Sequence, residues 1–358
     1  MLSPDRLETG DRGLETIARG QHVMTVCNAC RYCEAYCPVF QAMETRTKFA
    51  KGDILYLSNL CHNCGECLYA CQYAPPHEFN INVPQALAEA RVQSYEEFCW
   101  PSAGARGFSR ASALALGLSV ASMLFLWTFV QSRDARADFY AVIPHDTLVA
   151  IFGAAGTFVA VALAIGVARA VRSFGPPKGG HYLSALRDVL TLRHLHAAGA
   201  DCTSDVEVRT PWRRYFHHCT FYGFALCFAS TTVAAIYHLL GWRAPYALFS
   251  APVILGAVGG AGLVVGPLGL LSQWRRRDPE LRDRKQAGLD VSFIVMLLMT
   301  SVTGLLLLAF RGQPWMPLLL VVHLGFVLAL FVTMPYGKFV HGIYRTVALL
   351  KFAGEAHR

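Results

Sequence analysis

The chain has 358 residues, 54% of them hydrophobic and 16% charged, with a net charge of +8 at pH 7. Soluble domains carry about 25% charged residues, so this composition excludes a purely soluble protein, and the length leaves room for about two or three domains. Residues 1–100 hold 8 Lys/Arg against 12 Asp/Glu, leaving the apolar remainder a net +12, which suits anionic lipid headgroups and argues against nucleic acid.

Residues 1–20 are polar and lack the apolar core of a secretory signal. Two cysteine runs follow, Cys27, Cys30, Cys33, Cys37 and Cys61, Cys64, Cys67, Cys71, each spaced C-x2-C-x2-C-x3-C. Such a run wraps three corners of a 4Fe–4S cubane and sends its fourth cysteine to the other cluster. The expected sets are therefore Cys27, Cys30, Cys33 with Cys71, and Cys61, Cys64, Cys67 with Cys37. Structural zinc needs only one four-cysteine set, and a disulfide framework has no use for so tight a repeat. Reduced thiolate ligands place this part in the cytoplasm. Cys99, Cys202, Cys219 and Cys227 read as structural. Residues 1–100 form the expected ferredoxin-like domain and 101–108 the linker. Within the domain, 44–60 is expected to be helical with a turn at Lys51-Gly52-Asp53, and 83–98 to be a helix with Pro84 in its first turn.

The remainder, 109–358, contains six apolar stretches, 109–130, 147–169, 216–240, 246–271, 290–310 and 316–340, each matching the ~20 residues of a membrane crossing. Gly and Ala in the second and fourth permit close helix approach. Counting residues at the span ends, 20 Lys/Arg fall on the side bearing the cysteines and 4 on the other, so the cysteine side is cytoplasmic. The cytoplasmic loop 170–215 includes 182–196, whose leucines recur at helical spacing among basic residues. This segment lies on the inner leaflet or docks on the ferredoxin-like domain. His194 and His196 there read as solvated or interfacial.

Ionisable side chains within a membrane are costly and mark function. His217, His218 and His238 lie in the third span, and His323 and His341 in or at the end of the sixth. His323 and His341 are 18 residues apart, five helical turns, so both project from one face. His217 comes nearly into phase with His238, whereas His218 falls on the opposite face. Antiparallel spans then offer His217 with His341 near the cytoplasm and His238 with His323 toward the far side, the way bundles hold haem. The competing reading, histidines resting among headgroups, is strongest for His238. His145 and His181 read as loop residues. Arg213, Arg214, Lys338 and Arg345 suit either haem carboxylates or positive-inside anchoring. With no C-x-x-C-H run, dinucleotide fingerprint or nucleophile elbow, any b-type haem is noncovalent and substrate chemistry belongs to another polypeptide.

The cysteine runs, the stretch from Trp212 to Phe224 around His217-His218-Cys219, Ala235-Ile236-Tyr237-His238, and the stretch from Met334 to Arg345 resemble the tricarballylate utilization protein B family (TcuB or CitB) and the equivalent half of CobZ. The resemblance covers nearly the whole chain. It implies a membrane partner that reoxidises an FAD-dependent tricarballylate dehydrogenase and passes electrons to the quinone pool. The sixth-span histidines are also similar to those of the dihaem cytochrome subunit of respiratory nitrate reductase. The second run ends Cys71-Gln72, without the Pro that follows Cys37, so its loop departs from the pattern while its ligand spacing is intact. The expected protein is mainly α, a two-cluster ferredoxin-like domain before a six-helix bundle holding one or two b-type haems. It sits in the bacterial inner membrane with the cluster domain and carboxyl terminus cytoplasmic. It works as an electron-transfer subunit of an oxidoreductase. The alternatives are the same module running from quinol to a soluble reductase, and a membrane redox sensor.

Overall fold

The computed structural model describes residues 4–104, 111–133, 138–177, 179, 181–195, 202–205, 208–242 and 244–356. Half of the expected linker, 105–108, and His196 lie outside the described residues. A long helix, α1 (Pro4–Cys30), delivers Cys27 and Cys30 from its last turn, and Arg31 at φ 56° ends it. The polar segment before the first run is thus helical. Pro38 after Cys37 opens α2 (Pro38–Glu44), where its missing N–H is one the helix leaves unpaired anyway. Residues 51–53, expected as a turn, instead start α3 (Lys51–Leu60): the Asp53 carboxylate accepts the Ala50 N–H at 3.0 Å and caps the helix. A short α4 (Glu66–Tyr69) follows Gly65, whose φ of 94° favours glycine. α5 (Val83–Phe98) has the bounds read from sequence, with the Asn82 side chain accepting the Gln85 N–H at 3.0 Å.

The apolar part comprises α6 (Ala111–Trp127), α7 (Phe139–Val142), α8 (His145–Phe174), α9 (Tyr182–Leu190), an antiparallel pair β1 (Cys202–Asp205) and β2 (Val208–Thr210), then α10 (Trp212–Leu239), α11 (Ala251–Arg276), α12 (Arg284–Ala309), α13 (Met316–Thr333) and α14 (Val340–Ala356). Five of these, α8 and α10–α13, are long and apolar enough to cross a membrane. Six were expected, and among the described residues the first of them, α6, falls short of that length. α6 has 17 described residues, about 26 Å of helix against a hydrocarbon core of ~30 Å.

The bounds of the sixth expected span are corrected. It ends at Thr333, and a turn over 334–339 redirects the chain into α14. Pro335 cannot donate to the ladder, and the Gly337 N–H closes the helix on the Thr333 carbonyl at 2.8 Å. His323 and His341 therefore belong to different helices, and the one-face argument for them falls.

α10 and α11 pack backbone to backbone. A Cβ on Gly223 would stand 2.8 Å from the Gly259 carbonyl oxygen, and one on Gly266 would stand 2.7 Å from the Thr220 nitrogen. Small residues permit this approach, as between lipid-embedded helices. In α8, by contrast, Gly153 and Gly156 have nothing within 4 Å. One core joins the cysteine-bearing helices to α8 and α14. There Phe98 meets Tyr344 edge-on at 5.4 Å and Phe174 at 5.6 Å, while Tyr56 lies 6.0 Å from Phe174. Aromatic pairs of this kind contribute about 0.5–1.5 kcal/mol each beyond their burial. At the other end of α14, Glu355 receives Arg46 at 2.7 Å and the Tyr56 hydroxyl at 3.0 Å. α9 buries Ala185 and leaves Tyr182, Leu183, Leu186 and Leu190 exposed, an apolar face turned away from the core.

Candidate functional site

The end of α1, the loop to α2 and the turns around α4 fold the two cysteine runs against each other. Cys27, Cys30, Cys33 and Cys71 line a cavity of about 260 Å³, to which Cys67 also contributes. Cys37 lies by Cys61, and Cys67 by Cys64, Cys61 and Cys37. The fourth cysteine of each run thus stands with the other run. The backbone turns tightly to achieve this, with the Arg31 N–H on the Cys27 carbonyl at 2.8 Å and the Tyr36 N–H on the Cys33 carbonyl at 3.0 Å. Asn63, at φ 59°, points its N–H at Cys61 Sγ, 3.3 Å away. Burial, reinforced by Cys71 and Cys30, pushes the Cys33 thiol up to about 11, and burial, with Cys61 alongside, pushes Cys37 up to about 12. Thiols in such surroundings ionise only when a cationic centre binds them. The described cysteines are free thiols, and among the described residues no three His, Cys, Asp or Glu side chains converge to grip one ion. Thiols ringing a cavity fit a cluster better than a single metal ion.

The second run is clamped from the apolar helices. Arg213, in the first turn of α10, donates to the Asn63 carbonyl at 2.8 Å and the His62 carbonyl at 3.0 Å. Arg277 donates to the same Asn63 oxygen at 2.9 Å, and Arg345 from α14 to the Leu60 oxygen at 2.6 Å. Burial lowers the Arg345 guanidinium to about 10 against the pull of Cys61 and Cys37. Tyr69 reaches Asp278 at 2.6 Å, and Asn82 the Glu280 carbonyl at 2.9 Å, fixing the same junction. The sequence gives no sign of this use, because main-chain oxygens carry no side-chain signature. Lys338 pairs with Asp290 at 2.7 Å.

Beside that clamp lies a cavity of about 490 Å³, lined by Cys61, His62, Arg91, His217 and His341 among others. The rings of His217 and His341 face across it with centroids 6.1 Å apart. Two imidazoles on one iron, each bonded at ~2 Å, place their ring centres at roughly this separation. His341 Nδ1 lies 2.6 Å from the Lys338 carbonyl oxygen, which assigns it the proton and leaves Nε2 as a lone-pair donor. His217 Nδ1 is buried without a partner. These residues fit a bis-histidine haem. His218 turns elsewhere and stacks on Tyr222 at 5.8 Å.

The outer pairing of His238 with His323 gives way to two separate arrangements. His238, in the last turn of α10, stacks on His145 at 3.8 Å with Tyr140 edge-on at 5.9 Å. His323 Nδ1 lies 3.1 Å from the Thr300 carbonyl oxygen and 3.3 Å from Thr303 Oγ1 on α12. His145, read as a loop residue, opens α8 and was missed because one polar residue at a helix start carries no periodic signal.

No solved structure matches this chain. Residues 20–97 match the family model described as "Citrate utilization protein B Fer4-like domain", and residues 106–358 that described as "Citrate utilization protein B". A protein of Escherichia coli named citrate utilization protein B is 47% identical over 355 residues, covering 96% of this chain and 94% of its own. With matches running from the cysteine runs through the histidine helices, the chain belongs to the citrate utilization protein B family.

Proposed function

We propose that the protein is a membrane electron-transfer subunit that reoxidises the reduced FAD of a partner dehydrogenase through two 4Fe–4S clusters and b-type haem to the quinone pool. The carrying observation is that Cys61 and the facing His217 and His341 line one cavity. Clusters and haem supply one-electron relays between a two-electron flavin and a two-electron quinone. The chain's residues do the positioning. Cys27, Cys30, Cys33 and Cys71 would hold one cluster, Cys61, Cys64, Cys67 and Cys37 the other, and His217 and His341 the haem. The arginines on the Leu60–Asn63 carbonyls keep the second run against the haem pocket. The relative's name ties it to citrate, and the motif resemblance points to tricarballylate. Both are small tricarboxylates, and the proposed donor is a tricarballylate dehydrogenase. The basic excess on the cysteine side supports a bacterial inner-membrane location with the clusters in the cytoplasm.

The test mixes reduced partner flavoprotein with this protein in membranes and follows flavin, haem and quinone together. Flavin reoxidation should require both cysteine runs, and haem reduction should precede quinol formation. A flavin that stays reduced beside intact clusters, or quinol that drives electrons onto the flavin, would overturn the reading.

A further inference from the structure

The cavity between the cysteine-bearing helices and the apolar helices has an uneven lining. Its facing histidines come from α10 and α14, but two of its polar walls come from the amino-terminal part of the chain. Arg91, on α5, is 5% exposed. Its Nε donates to the Ser58 carbonyl at 2.7 Å and its Nη1 to Gln286 Oε1 at 3.2 Å, both neutral acceptors. Its Nη2 is buried with no partner. His62 lines the same cavity, and its Nε2 is likewise buried and unpartnered.

A guanidinium held out of water with only neutral partners is costly, and an unsatisfied donor on it adds to that cost. The other cations of the cavity have other uses. Arg213, Arg277 and Arg345 hold the carbonyls of the second cysteine run, Arg214 lies over the Tyr215 ring, and Lys338 has Asp290. The need at Arg91 is therefore for an anion, of a kind that enters this cavity with the group His217 and His341 face. Haem carries two carboxylates.

We propose that Arg91 Nη2 and His62 Nε2 bind a haem carboxylate, so that the cluster-bearing part of the chain anchors a haem held by His217 of α10 and His341 of α14. The inference rests on the haem reading above and deepens it. It replaces Arg213, Arg214, Lys338 and Arg345, the flanking cations marked by sequence, with a residue 126 positions before His217. It also gives the second cysteine run a direct hold on the haem, since His62 follows the ligand Cys61.

The test uses the full chain in detergent, stripped of haem and reloaded with either haem or haem dimethyl ester, in which both carboxylates are blocked. Each product is read as low-spin bis-histidine absorbance per protein, with cluster absorbance and thermal midpoint as checks on folding. Wild type should retain haem about tenfold or more over the ester, the scale of one charge-assisted hydrogen bond. Arg91→Gln should lose most of that preference while still forming the low-spin spectrum, and Arg91→Lys should keep part of it. His62→Gln, which does not disturb the α5 core, should weaken it independently if Arg91→Gln fails to fold. Equal retention of the two by wild type, or an unchanged preference in both Arg91→Gln and His62→Gln, overturns the carboxylate site and leaves the haem standing. Failure of wild type to form a low-spin spectrum with either compound overturns the haem reading itself.

Discussion

Replacing Gly266 with alanine should prise α10 from α11 at the level of His217. The new Cβ would stand 2.7 Å from the Thr220 nitrogen and 2.8 Å from the Phe216 oxygen, whereas ordinary contact begins at 3.4 Å. The Thr220 hydroxyl lies closer still, but turning it aside leaves these two main-chain atoms in place, both on the turns that carry His217. Relief requires α10 to retreat by about 0.7 Å, the difference between 3.4 and 2.7 Å. Overpacking of this kind costs roughly 1–3 kcal/mol. The displacement also exceeds the ~0.5 Å within which a ligand set must be held, and it acts on a His217–His341 pair now 6.1 Å apart between ring centres. The expected outcome is a lower thermal midpoint together with haem absorbance per protein well below wild type. Gly153→Ala is the control, because nothing lies within 4 Å of its Cβ position, and alanine in a helix interior should stabilise by about 0.5–1 kcal/mol. Wild-type midpoint and haem content in Gly266→Ala would refute the claim that this backbone contact positions His217.

Cys37→Ser should remove the electron paramagnetic resonance signal of the cluster held by Cys61, Cys64 and Cys67. Loss of the first-run signal alone would show the sets to be uncrossed. Arg345→Gln should cost about 1.5–3 kcal/mol, the contribution of a hydrogen bond to a charged group, with Arg345→Lys recovering little of it. A melting curve identical to wild type would count against the carbonyl clamp. His194 gives a pH dependence: burial and the neighbouring Arg345 hold its imidazole below the usual 6.5, so the unfolded chain takes up the proton first. Stability should be complete above about 6.5 and fall as acid drives the pH below it. His194→Gln should flatten that decline in midpoints measured between about pH 7.5 and 5, and an unchanged slope would reject the assignment.

The meeting of the two cysteine runs was legible because cluster ligation imposes a spacing that survives in one dimension. Helix α5 was legible to the residue, since Pro84 marks its start and Pro101 lies three residues beyond Phe98. The His217–His341 juxtaposition came from topology and phase, although the phase argument assumed a sixth span that Pro335 interrupts. α1 was missed because its polar first half has no apolar period to read. The roles of Arg213, Arg277 and Arg345 were invisible for a different reason. A guanidinium aimed at a carbonyl looks in sequence like any basic residue flanking a span, and only the fold reveals that its partner lies 150 to 285 positions away.

That separation also sets an order of events. At about 5–20 residues per second of synthesis, Arg345, 285 residues beyond Leu60, emerges roughly 15–60 s after it. Until then the second cysteine run stands without its last clamp, open to whatever delivers iron and sulfide. Chains ending before Arg345 should accordingly take up iron at least as fast as complete ones, and slower uptake would argue that the clamp templates the loop. On that order the finished protein would close over a cargo received while it was still being made, and loss of that cargo later would require the junction to reopen.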